Sequence, residues 1–288
     1  MSDDVPEPAP DAGTAADAPA GRETQSVQAL ERGLAVLQVF SHEHPALTLS
    51  DVARLTGITR ATARRILLTL ERLGMVRSDG RRFSLTPRVL ALGWAYLSSL
   101  SLWEIAEPLM RDLVDRTGES CSAATLDLPE VAYVARVPTR RIMSITLGVG
   151  TRLPAHATSM GRVLLADLPP AQLDAFLAST PLEPHTPRTV VDPDRLRRVV
   201  GEVREQGWAL VDQELELGLR SVAAPLRDAD GRVIAALNVS AAASRVPADD
   251  LRSRFLPPLL ETAEAISTAI ARSARSGAGD RARTVEAR

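Results

Sequence analysis

Residues 49–73 read LSDVARLTGITRATARRILLTLERL, two short amphipathic patterns separated at Gly57. In the first, Val52 and Leu55, with the small Ala53 between them, make one apolar face. Glycine follows its last turn, where a left-handed cap costs little. Thr59 is placed to cap the second pattern, in which Ala63, Ile66, Leu67, Leu70 and Leu73 recur at three- and four-residue steps and define a buried face. Thr59, Arg60, Ala61, Thr62, Arg64, Arg65 and Thr69 are left outside, crowded toward the helix N-terminus. This is the grammar of a helix-turn-helix, whose second helix enters the DNA major groove with such residues. An ordinary helix pair with a solvated arginine face would give a similar string, so the flanking sequence has to decide.

Met75-Val76-Arg77 and Arg82-Phe83-Ser84-Leu85 are strand-like runs around Ser78-Asp79-Gly80-Arg81, and Asp-Gly between such runs is a strong hairpin signal. A hairpin directly after the second helix is a wing, which brings Arg77, Arg81 and Arg82 within reach of phosphates or a minor groove. Upstream, residues 27–40 form a helical pattern with Val27, Leu30, Leu34, Leu37 and Val39 or Phe40 as its stripe, the third helix of a winged core. Residues 25–100 carry ten arginines against five acidic residues, whereas the whole chain has a net charge of -2. Such local positive charge is the electrostatic footprint of a DNA-binding face. Residues 25–86 are therefore expected to be a winged helix-turn-helix domain bound to double-stranded promoter DNA.

The 288 residues suffice for two cores, and 45% hydrophobic with 3% aromatic content makes those cores largely Ala, Val and Leu. No apolar run approaches the roughly 20 residues of a membrane span. The acidic, Pro/Ala-rich N-terminus has no apolar centre and is not a signal peptide. The expectation is a cytoplasmic, nucleoid-associated protein with no membrane partner. Residues 1–24 lack the large apolar groups that offset ordering and are expected to be a disordered tail, and residues 273–288 a flexible one. The single cysteine, Cys121, has no disulfide partner, and His42, His44, His156 and His185 show no metal-ligand spacing with it, so neither metal nor cofactor is expected. Cys121 with His156 imitates a nucleophile and base. No spacing supplies an orienting carboxylate, and a thiol on an apolar strand is ordinarily a buried hydrophobe, so no catalytic residue is assigned and an enzyme is disfavoured.

Thr86-Pro87 is a cap followed by proline at the first helical position. It opens a helix over residues 87–100 that is apolar on more than one side, with Trp94 and Tyr96 among its exposed groups. A linker that is also a dimer seam fits this pattern, as does simple burial against the chain's own domains. Ser101 and Glu104 form a capping box for the next helix. Thereafter period-two runs over residues 120–126, 131–137, 142–147, 209–212, 220–226 and 232–240 alternate with helical patterns over 158–167, 170–178, 193–206 and 247–272. The fold class is α+β, with residues 101–272 as the second domain.

The strings SVQALERGL (residues 26–34), RRFSLTPRVL (81–90) and LPAHATSMGR (153–162) resemble the IclR family of bacterial transcription regulators. TGESCSAATLD (117–127), VARVPTRRIMS (134–144) and VDQELELGLRSVAAP (211–225) resemble the subgroup that controls breakdown of protocatechuate and 4-hydroxybenzoate through β-ketoadipate. The resemblance implies a winged helix-turn-helix, a linker helix and a C-terminal effector-binding domain of GAF-like fold. It also implies a homodimer or tetramer and a small organic acid as effector, and leaves RNA polymerase open as a further partner. It leaves open an activator answering to an aromatic-pathway acid or a repressor answering to another acid. Carried over by position, it implies effector contacts from Leu153, Ser159, Met160, Asp212, Ser221, Asn238 and Ser240. Asn238 and Ser240 alternate with Leu237 and Val239 and so share a strand face. Gly161 allows close approach at a helix start whose amides suit an anion.

Overall fold

In the computed structural model, which describes residues 27–41, 43–93, 102–139 and 147–286, the chain divides into two units, residues 1–94 and 95–288. The first contains α1 (Gln28–Gln38), β1 (Leu47–Thr48), α2 (Leu49–Thr56), α3 (Arg60–Arg72), β2 (Val76–Ser78) and β3 (Arg82–Leu85). Thr48 sets its frame. The Thr48 side chain accepts from the Asp51 N–H while the Asp51 carboxylate accepts from the Thr48 N–H, a reciprocal cap that opens α2. Gly57 closes α2 at φ 69° and Thr59 caps α3. The helices enclose Val36, Val52, Ala63, Leu67 and Leu70, with Val76 from the wing.

Five expected core positions lie elsewhere. On α1 the buried residues are Val36 and, just past its end, Phe40, whereas Val27, Leu30 and Leu34 are exposed, because the helix turns its other face to α2 and α3. Leu55 is exposed, since Val52 and Ala53 fill the inward side of α2. Leu73 is exposed as well: it is the C-cap of α3, where the helical period ends and Gly74 turns the chain at φ 72°. The wing gains a third strand, β1, which pairs with β3 in the order β1-β3-β2. Thr86 caps a short 3-10 turn at Pro87–Val89 as its sequence suggests. Trp94, Tyr96 and the cap at Ser101 lie outside the described residues.

The second unit is a six-stranded antiparallel sheet ordered β6-β5-β4-β9-β8-β7. Its strands are β4 (Ser120–Asp127), β5 (Glu130–Val137), β6 (Arg152–Pro154), β7 (Ala209–Asp212), β8 (Leu219–Arg227) and β9 (Val233–Ala242). One face, carrying Cys121, Ala123, Val222 and Leu237, packs on α4 (Leu102–Thr117) and α8 (Leu256–Glu286). The other, carrying Ala124, Tyr133, Ala223 and Ala236, packs on α5 (Ser159–Asp167), α6 (Pro170–Ser179) and α7 (Pro193–Gln206). Both faces being covered explains the long runs of buried residues in β4, β8 and β9.

The β4–β5 pairing slips by one between Ala123 and Ala124: Ala123 faces Ala135, but Ala124 faces Tyr133, leaving Val134 without an opposite number. This bulge resets the alternation of β5. Val131 and Tyr133 point to the α5–α7 side and Val137 to the α4/α8 side. Arg136, opposite Ser122, is thereby returned to the α5–α7 side. Of the expected strand over 142–147, residues 142–146 lie outside the described residues, as do residues 1–24. The expected flexible tail from residue 273 instead continues α8 to Glu286. Composition there offers little to pack, and the helix is propagated from its anchored part, in which Leu259, Ala263 and Ile266 are buried.

Candidate functional site

Two surfaces gather the residues singled out by the sequence. The first is α3 with the wing. Thr59 Oγ1 accepts from the Thr62 N–H (3.2 Å) and donates to Thr62 Oγ1 (2.9 Å), so this pair is used to start the helix. Thr69 Oγ1 donates to the Arg65 carbonyl (2.9 Å). Arg60, Ala61, Arg64 and Arg65 are exposed, and Thr62 is half-buried. At about 100° per residue, burial of Ala63, Leu67 and Leu70 points Ala61, Arg65, Leu68 and Arg72 most directly outward. Leu68 and Arg72 escape a reading that follows only the N-terminal end; a helical wheel drawn from the buried positions finds them. In the wing, Asp79 Oδ1 accepts from the N–H groups of Arg81 (2.9 Å) and Arg82 (2.7 Å). Those bonds hold its carboxyl below the usual carboxylate range and leave Arg77, Arg81 and Arg82 exposed around Gly80, at φ 90°.

The second surface is a polar strip across four strands on the α5–α7 side of the sheet. Arg136 Nη1 donates to Ser122 Oγ (3.4 Å). The Ser122 N–H donates to Asn238 Oδ1 (3.1 Å), and Asn238 Nδ2 donates to Ser240 Oγ (3.1 Å). Ser240 sits opposite Ser221 in the β8–β9 register, and Ser159 at the start of α5 donates to Ser221 Oγ (2.8 Å). The sequence reading thus brings Ser159, Ser221, Asn238 and Ser240 together but misses Ser122 and Arg136. Arg136 is half-buried, and burial pulls its guanidinium below the ordinary arginine range. Tyr133, buried nearby on the same strand, has its phenol pushed up to about 12 by desolvation. Met160 is buried in the α5 core, and Leu153, on edge strand β6 opposite Val131, packs against that core.

Asp212 and Gly161 are placed differently from the expectation. Asp212 alternates with Val211 onto the α4/α8 side of β7, where Arg220 beside it and Arg188 (2.8 Å) engage its carboxylate. Despite some burial, those partners hold its pKa down. The Gly161 N–H is occupied by Thr158 Oγ1 (3.0 Å), the N-cap of α5. The role of Gly161 is steric: a Cβ there would lie 2.6 Å from the Ala155 carbonyl carbon. Arg162, one residue on, forms a buried two-pronged pair with Glu214 (2.8 and 2.5 Å), pinning the β7–β8 loop to α5. Cys121 faces the α4/α8 core, with its thiol pushed up by burial. His156 lies in the 3-10 turn before α5, its pKa lowered by burial, with Nε2 3.1 Å from the Glu183 carbonyl. The two do not form a catalytic pair.

Among the described residues no group of three or more His, Cys, Asp or Glu could hold a metal ion, and no helix is long and apolar enough to cross a membrane. Comparison with known proteins finds a match for each unit. Residues 29–80 match the IclR helix-turn-helix domain and residues 94–268 the bacterial transcriptional regulator IclR C-terminal domain. The chain is 48% identical over 232 residues to the Pca regulon regulatory protein of Pseudomonas putida, covering 80% of each. It is 37% identical over 242 residues to the p-hydroxybenzoate hydroxylase transcriptional activator of Acinetobacter baylyi, covering 82% of this chain and 89% of that one. An IclR homolog from Microbacterium hydrocarbonoxydans, solved in complex with 4-hydroxybenzoate, superposes with a TM-score of 0.76 at 29% identity, covering 85% of this chain and 99% of that one. With a winged arginine-bearing helix in one unit, a sheet-borne polar strip in the other, and both matched in order, the chain belongs to the IclR family of bacterial transcriptional regulators and is not an enzyme.

Proposed function

We propose that the chain is a cytoplasmic, nucleoid-associated activator of aromatic-acid catabolism genes of the β-ketoadipate pathway, controlled by an acid of the 4-hydroxybenzoate or protocatechuate type. The observation that carries this reading is Arg136, a half-buried cation at one end of a strip otherwise made of neutral donors and acceptors. A guanidinium is a planar, two-pronged donor that matches a carboxylate in geometry and charge. The hydroxyl end would meet the Ser159–Ser221 pair, with Ser122 and Ser240 between. The names of the Pseudomonas and Acinetobacter relatives, and the 4-hydroxybenzoate in the Microbacterium structure, support the choice of acid. Residues 25–86 serve DNA binding, 87–100 the linker and 101–272 effector binding, in a homodimer or tetramer. Two recognition helices then address half-sites about 34 Å or a multiple apart. Effector binding shifts the arrangement of those helices only by its differential affinity for the alternatives, and RNA polymerase is the partner that reads the shift.

Calorimetry on the full chain with 4-hydroxybenzoate, protocatechuate and β-ketoadipate tests the assignment. Arg136→Met is expected to weaken binding of the effective acid by about 2–5 kcal/mol, and Ser240→Ala by about 1.5–3 kcal/mol, with effector-free DNA binding retained. Asn238 is a poorer probe, because its amide also ties β4 to β9. Absence of heat with all three acids, or equal binding by both variants, sinks the reading.

On DNA, Arg65→Ala is expected to relax sequence preference, since a bidentate arginine–guanine pair discriminates by about 1–3 kcal/mol. Arg82→Ala in the wing is expected to weaken all duplexes alike and to reduce the salt slope by about one unit. Binding titrations on specific and random duplexes at several salt concentrations separate the two; identical profiles for both variants would refute the division of labour.

A further inference from the structure

Leu68 is an exposed leucine on a surface built for a polyanion. It is 46% exposed and lies in the outward arc of α3 between Arg65 and Arg72, with Ala61 two turns before it. The helix does not need it for packing, because Leu67 and Leu70 already fill the inward side, and alanine would serve helix propensity at least as well. A lone exposed leucine on an arbitrary surface calls for no explanation. This one stands where the chain presents side chains to the floor of the major groove. There the thymine 5-methyl is the apolar group that base pairs offer.

We propose that Leu68 is a specificity residue that reads one thymine methyl in each operator half-site. The geometry also says where. Leu68 follows Arg65 by three residues, about 4.5 Å along the helix axis, which is one to two base steps of about 3.4 Å. The thymine therefore lies one or two base pairs from the base contacted by Arg65. The leucine adds discrimination that no charge in this face supplies, because the methyl is what separates thymine from uracil.

The test uses the full chain and duplexes that it enriches from a random-sequence library. In the enriched duplex each thymine is replaced in turn by deoxyuridine, which removes the methyl and changes no Watson–Crick pairing. Affinities are measured for the unaltered chain and for Leu68→Ala, a thermodynamic cycle between one side chain and one methyl. One thymine per half-site is expected where deoxyuridine weakens the unaltered chain roughly fourfold, the worth of about one buried methyl. Leu68→Ala should be insensitive to that replacement, and the penalty should stay constant as salt is raised because no phosphate is involved. Additivity of the two changes at every thymine overturns the proposal. So does an altered oligomeric state of Leu68→Ala in sedimentation, which would assign the leucine to a contact between copies of the chain. Because the side chain is exposed, the variant is expected to melt with the unaltered chain, and a lowered Tm would overturn the claim that Leu68 has no packing role.

Discussion

Glu214→Ala is expected to destabilise the C-terminal unit by about 3–5 kcal/mol, the cost of stranding a buried charge. Arg162 is 3% exposed, and both of its terminal nitrogens end on the Glu214 carboxylate. The same carboxylate accepts from the Val190 N–H (3.1 Å), and Arg162 Nε donates to the His156 carbonyl (3.1 Å). One side chain thus joins α5, the β7–β8 loop and the segment before α7. Its removal leaves a buried guanidinium without its counter-ion and a backbone N–H without its acceptor. Replacing both partners, as in Glu214→Leu with Arg162→Met, is expected to recover much of the loss, because the desolvated charge disappears with its partner. Thermal unfolding of the full chain, followed at the transition of the C-terminal unit, measures both. Equal losses in the single and double variants would show that the pair acts through packing instead of charge.

Gly161→Ala is expected to cost stability at or beyond the upper end of the about 1–3 kcal/mol typical of overpacking. The added carbon would meet main chain, not the end of a flexible side chain: the Ala155 Cα, carbonyl carbon and oxygen all lie in its place. Relief requires α5 to lift from the Ala155–Ala157 turn, and Ser159 goes with it, away from its 2.8 Å bond to Ser221. The variant should therefore lose affinity for the acid effector along with Tm. Calorimetry with 4-hydroxybenzoate alongside thermal unfolding checks this, and an unchanged Tm would mean that the turn yields at little cost.

Much of this arrangement is legible in the chain because it is local. Thr48 with Asp51, Thr59 with Thr62, Gly57 and the Asp79-Gly80 turn each involve residues at most a few apart, and their chemistry points to one backbone outcome. The α1 stripe is less legible: period alone admits Leu30 and Leu34 on the buried side, and only the positions of α2 and α3 select Val36 and Phe40. Strand β6 is three residues long and carries little periodic signal. Asp212 follows alternation once Leu210 is seen to pack on the α4/α8 side; a reading by position alone does not make that choice. Arg136 is hidden by a different cause. Strict alternation from Tyr133 sends it to the α4/α8 side, and the surplus residue that corrects this leaves no mark in composition or hydropathy.

That surplus residue separates length from identity in the evolution of the site. Because Val134 has no opposite number, a single-codon deletion there restores a regular pleat while Tyr133, Ala135 and Arg136 keep their present sides. What changes is the local twist, which a bulge increases, and with it the angle at which the guanidinium leaves the strand. A lineage can thus re-aim the arginine of the strip in one genetic step, without replacing any other side chain described in it. Preference among acids of similar chemistry but different shape would then drift through the curl of one strand.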